Sequence, residues 1–86
     1  MLESDRKMLL KAIRLLEMGD WEAAHKIAQR NPDAYGNWLH AILHKIEGDR
    51  SNAAYWYNRA GHPERIAMRA EEELKELAQE LEKGCC

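Results

Sequence analysis

His40 and His44 stand four residues apart in the run WLHAILH, a spacing that on a helix brings both imidazoles to one face. Two neutral ring nitrogens placed so can share a divalent ion such as zinc, and Glu47 follows on nearly the same side. A zinc site takes three or four protein ligands and the pair supplies two, so the metal reading is binding by the pair alone or across a dimer. The run also lacks the glutamate beside its first histidine that a zinc protease requires. Trp38, Leu39, Ala41, Ile42 and Ile46 occupy the opposite arc, which makes the histidine face the polar one. The competing reading of the pair is a solvated helix face or hydrogen-bonded packing between helices.

No other residues assemble a reaction centre. His25 falls at the edge of an apolar stripe near Trp21 and Ala28 and reads as a half-buried packing residue; His62, before Pro63, reads as a joint residue or weak cap. Ser4 and Ser51 sit at helix starts, where capping accounts for them. The five glycines are isolated and form no phosphate loop. Cys85 and Cys86 are adjacent and terminal, too few for a disulfide framework or a zinc site. They read as an incidental thiol pair, with an intermolecular disulfide or attachment handle as the alternative. The expectation is a chain that is not an enzyme and needs no cofactor, with zinc at His40 and His44 as the alternative.

Whatever these side chains do, helices must place them. In residues 5–17, Met8, Leu9, Ala12, Ile13, Leu15 and Leu16 share one arc, with Lys7, Lys11, Arg14 and Glu17 opposite. Gly19 stops that helix and Asp20 caps the next, which runs to about Arg30. Asn31-Pro32-Asp33 breaks the chain before a helix over 34–46; Gly48-Asp49 repeats the stop-and-cap device, and the helix it starts reaches Ala60. Pro63 opens a long final helix, where Ile66, Ala67, Ala70, Leu74, Leu77, Ala78 and Leu81 form one stripe. The prediction is five helices and no strand.

Eighty-six residues make one small domain, and 45% hydrophobic with 33% charged residues is a globular composition. A net charge of −2 points to neither nucleic acid nor a membrane surface. Six acids against two lysines leave residues 71–86 at −4, a solvated helix face, so the first seventy residues carry +2. No apolar run nears the ~18 residues of a membrane span, and a reducing, cytoplasmic setting is the expectation.

Two segments are alike: LLEMGDWEAAHKIAQR and LHKIEGDRSNAAYWYNR superpose Gly19 on Gly48, Asp20 on Asp49, Ala24 on Ala53 and Arg30 on Arg59, an offset of 29 residues. GDWEAAHKIAQRNP resembles the second helix of a tetratricopeptide repeat, through Gly19-Asp20, Trp21, Ala24 and Pro32. GDRSNAAYWYNRAG resembles it through Gly48-Asp49, Ala53, Tyr57 and Ala60. The first helix of each unit departs from that pattern. Residues 19–61 also resemble a small bacterial helical-repeat family, while EEELKELAQELEK has the Glu/Leu/Lys content of designed helices, as in an engineered derivative of a natural scaffold. The resemblance implies an all-α array of tetratricopeptide-like kind (an α-solenoid) within a single domain over residues 1–86. Unit one spans about 5–31, unit two about 33–61, and a capping helix about 63–83.

Such arrays bind proteins or peptides on a surface lined by their first helices, here with His40, His44, Asn37, Lys45 and Glu47. Trp56 and Tyr57 share the apolar stripe of their helix with Ala53 and Ala60 and are expected inside, whereas Tyr55 faces outward as a candidate contact residue. A non-enzymatic interaction module or engineered scaffold is the expected function, with metal-mediated assembly through His40 and His44 as the alternative. Leu77 and Leu81 lie beyond the reach of two short hairpins, so they are expected either to form a homodimer contact with the cysteines nearby or to be covered by the N-terminal helix folding back in a compact monomer.

Overall fold

Three glycine joints turn this chain in the same way. Gly19, Gly48 and Gly61 adopt φ of 89°, 91° and 86°, a left-handed conformation that side chains with a Cβ resist. At each, the glycine N–H and the following N–H donate back into the preceding turn. Asp20 reaches the Leu15 carbonyl at 2.9 Å, Asp49 the His44 carbonyl at 2.9 Å, and His62 the Tyr57 carbonyl at 3.0 Å. The computed structural model describes residues 2–83, so Cys85 and Cys86 lie outside the described residues. The helices are α1 (Glu3–Glu17), α2 (Trp21–Gln29), α3 (Ala34–Ile46), α4 (Arg50–Arg59) and α5 (Ala70–Lys83), with a short 3-10 helix at Pro63–Ala67. Among the described residues there is no strand.

Aspartates start three of these helices. The carboxylate of Asp20 accepts from Ala23 N–H at 3.1 Å, that of Asp33 from Gly36 N–H at 2.8 Å, and that of Asp49 from Asn52 N–H at 3.3 Å. Gly48 is thus a turn between helices, as its spacing predicts.

α3 runs through the middle of the molecule, touching α2, α4, α5 and the 3-10 helix. Residues 36–44 are buried without interruption. The sequence reason is that GNWLHAILH carries no charged side chain, and a helix apolar all round belongs inside. The expected polar histidine face therefore does not exist: His40 is 4% exposed and His44 8%.

The last helix departs from expectation. A continuous helix over 63–83 is replaced by the 3-10 turn, an extended Met68 (φ −75°, ψ 153°) and then α5. The break is held by Lys45, whose Nζ donates to the carbonyls of Arg65 (3.2 Å), Ile66 (3.5 Å) and Met68 (2.7 Å) and to Glu73 Oε1 (2.6 Å). Glu73 is fully buried and also accepts from Trp38 Nε1–H and Tyr57 O–H, each at 2.7 Å. A buried carboxylate with this many donors is satisfied, and it fastens α5 to α3 and α4.

Leu77 and Leu81 are 0% and 1% exposed within the single chain. α1 folds back against α5, where Arg6 Nη1 donates to the Leu81 carbonyl at 3.0 Å. In the single chain these leucines are covered where α5 packs on α3 and α1, the cover that a second chain was otherwise expected to supply. Tyr57 is fully buried and Tyr55 53% exposed, in the predicted split. Trp56 differs from expectation in being half-buried, because it covers the outer side of His40 instead of entering the core centre.

Candidate metal centre

α2 and α3 pack as neighbours, and the consequence is a third histidine. His25, on α2, meets His40 and His44, on α3, so that one ring nitrogen from each lies within 4.8 Å of the others. His25 Nε2 and His40 Nε2 are 3.0 Å apart. Tetrahedral zinc with Zn–N bonds of about 2.0–2.1 Å holds its nitrogen ligands about 3.3 Å from one another, a spacing these separations bracket.

Glu47 fixes the chemistry of the third ring. Its Oε1 lies 2.6 Å from His44 Nδ1. An ionised carboxylate only accepts, so Nδ1 carries a proton, and in the neutral ring the lone pair is then on Nε2. A carboxylate behind a histidine is the arrangement that orients metal-bound imidazoles and raises their basicity. Glu47 and Asp49 also form a second, exposed group with His44, but there Asp49 is engaged as the cap of α4.

Indole rings hold the imidazoles in place. Trp21 stacks on His25 (centroids 4.7 Å, planes 14° apart) and Trp56 on His40 (3.9 Å, 14°), while Trp21 meets His44 edge-on at 5.9 Å. His40 and His44 stack on each other at 4.9 Å. Trp21 is anchored in turn, its Nε1–H donating to the Leu43 carbonyl at 2.8 Å. Such packing removes rotamer freedom from the rings before any ligand arrives.

Burial sets their protonation. Loss of water, followed by the neighbouring His25 and His44, pushes His40 down to about 4; burial, then His44, likewise lowers His25. Both are therefore neutral at pH 7, one Nε2 donating to the other across their 3.0 Å separation, and a metal would displace that proton to take both lone pairs. A cleft of about 220 Å³, lined by Ala28, Gln29, Pro32, Asn37, His40 and Trp56, reaches the cluster at His40.

The residues expected to share a binding surface are dispersed. His40, His44 and Asn37 are buried, Asn37 Nδ2 donating to the Pro32 carbonyl at 3.4 Å, and Lys45 is engaged with the chain around residue 66. Glu47 is exposed behind His44, and Tyr55 stands on the outer face of α4 beside Arg59. His25 was the residue missed. Its signal was modest: Trp21 and His25 repeat on α2 the four-residue spacing of His40 and His44.

No protein-family model matches the chain, and no curated protein or solved structure shows significant similarity to it. Among the described residues, no helix is long and apolar enough to cross a membrane.

Proposed function

We propose that the chain is a metal-binding helical domain, holding one divalent ion of the zinc class on His25, His40 and His44. The observation that carries this reading is the convergence of three ring nitrogens from two helices within 4.8 Å, one ring backed by a carboxylate at 2.6 Å. An all-imidazole donor set suits zinc, cobalt, nickel and copper, and disfavours the hard ions magnesium and calcium. Because its ligands come from α2 and α3, bound metal would tie the two hairpins together. The repeated Gly-Asp turns support the matching architecture, a two-unit helical-hairpin array (α1–α2 and α3–α4) closed by α5.

Titration of metal-free protein with zinc, followed by calorimetry, tests the reading. One ion per chain is expected, with His25→Ala and His40→Ala each weakening binding by more than tenfold. Glu47→Ala should weaken it by about 10–100-fold, the usual effect of losing the group behind a ligand. Wild-type protein that takes up no zinc at micromolar concentration overturns the proposal.

A second reading, a non-enzymatic protein-binding module, draws support from the exposed Tyr55. The Arg59 guanidinium lies 5.6 Å from the ring centroids of both Tyr55 and Trp56, a pairing of the residue types that anchor interfaces. Sedimentation of wild type against a Tyr55→Ala/Arg59→Ala variant tests whether that face joins two copies: a variant lighter than wild type supports it, and equal masses remove self-association through this face.

A further inference from the structure

We propose that the metal-loaded centre is an open one, its fourth coordination position held by exchangeable water or a small anion and not by a side chain. This rests on the three-histidine reading above. Sites that only stabilise a fold are closed by four protein ligands, whereas three ligands leave a position for an exogenous one.

The donors near the three rings are accounted for. Among the described residues, His25, His40 and His44 form their own group, Glu47 is committed to Nδ1 of His44, and Asp49 is engaged as the cap of α4. Glu47 therefore stands behind that ring, on the far side from Nε2. The indoles of Trp21 and Trp56, which flank His25 and His40, possess an N–H donor and no lone pair to offer a metal. The indole walls thus position the ligands without adding one, and the cleft beside His40 adds only the neutral amides of Gln29 and Asn37, outside the Cys, His and carboxylate set that zinc takes.

Room and charge favour an incoming anion. A water molecule takes about 30 Å³ of the liquid, and the cleft that reaches His40 holds about 220 Å³, space for a small anion with its own hydration. His25 is half-exposed, so the cluster also communicates with solvent on the α2 side. Three neutral imidazoles leave a divalent ion's charge intact, and the carboxylates nearby, Glu47 and Asp49 at His44 and Glu22 toward His25, act from outside the coordination shell, those of Glu47 and Asp49 exposed to water that screens them. Between stacked indoles, where water is displaced, that remaining charge attracts a small anion more strongly than it would in bulk solvent.

Cobalt(II) is the probe, because its visible absorption reports coordination number and ligand exchange directly. The experiment uses the full chain carrying Cys85→Ser and Cys86→Ser, so that no thiol competes for the ion. Cobalt uptake is measured first, and azide is then titrated into the loaded protein while bound cobalt is assayed after desalting. The expected result is one cobalt per chain and a saturable change in the visible bands with cobalt retained. Cobalt that binds but whose spectrum ignores azide up to high millimolar concentration overturns the open site and leaves the three-histidine reading standing. Azide that strips the cobalt also overturns it, since the anion then competes for the ion instead of joining it. Failure to take up cobalt at all overturns both.

Discussion

Gly36 is where one methyl group decides whether α3 can begin beside Asn31. A Cβ there would lie 1.6 Å from the Asn31 carbonyl oxygen and 2.7 Å from its carbon, both backbone atoms that cannot swing aside. Gly36→Ala should therefore destabilise by about 3 kcal/mol or more despite alanine's better helix propensity, as read by urea unfolding. At Gly19 a Cβ meets nothing within 4 Å, so only the left-handed backbone is strained, and Gly19→Ala should cost about 1–2 kcal/mol. Equal effects would contradict the close approach. The positive φ of Gly19 was legible, since a Gly-Asp pair after an apolar stripe announces a helix stop. The role of Gly36 was not, because it depends on how Asn31-Pro32-Asp33 folds back. His40 makes a second residue-scale prediction. Its pKa in the folded protein, about 4, lies below the ordinary 6.5, so the unfolded chain binds the proton more readily. The stability that neutral His40 contributes is complete above pH 6.5 and is lost as pH falls from 6.5 to 4, by about 2–3 kcal/mol. In metal-free protein, His40→Gln should flatten that part of the pH–stability profile relative to wild type. Parallel profiles would mean that His40 is not held neutral by burial.

Lys45 and Glu73 act between elements. They join α3 to the break before α5, one by capturing three carbonyls and the other by accepting from Trp38, Tyr57 and Lys45 itself. Lys45→Met leaves a fully buried carboxylate without its cation and should destabilise by about 3–5 kcal/mol. Lys45→Met/Glu73→Leu removes both charges, so it should lose less than the sum of the single changes, by 1 kcal/mol or more in a double-mutant cycle. Additive effects would show that the two side chains act separately. The aspartate caps lie at the opposite extreme of range: Asp49→Ala should cost about 1 kcal/mol through loss of the bond to Asn52 N–H. Caps and glycine stops were readable because each is decided within a few residues. The interruption at Met68 was not, because the lysine that holds it open is 23 residues away. An apolar stripe from Ile66 to Leu81 looks continuous until tertiary contacts claim its carbonyls.

At the scale of the whole molecule, the same limit governs the site. The histidine pair on α3 was visible as a spacing, and the third ligand required α2 to dock on α3, which spacing within either helix does not encode. The clue that did exist was the charge-free run from Gly36 to His44, which argues for a helix buried on every side and against an open binding face. Docking of α1 on α5 likewise changes the meaning of Leu77. Leu77→Glu places a carboxylate in the core and should unfold the chain, seen as lost helical circular dichroism, without first changing its sedimenting mass. A folded variant with a smaller mass would restore the intermolecular contact. The central position of α3 also fixes how the molecule opens. Every other helix can fray toward solvent from at least one side, whereas α3 is packed by α2, α4, α5 and the 3-10 helix, so its amides from about residue 40 to 44 are shielded by neighbours on several sides. In hydrogen–deuterium exchange these amides should be the last to take up label, at a rate set by unfolding of the entire chain. The histidines therefore stand on the segment whose breathing is slowest, and zinc added to the solution should retard label uptake there through the global equilibrium.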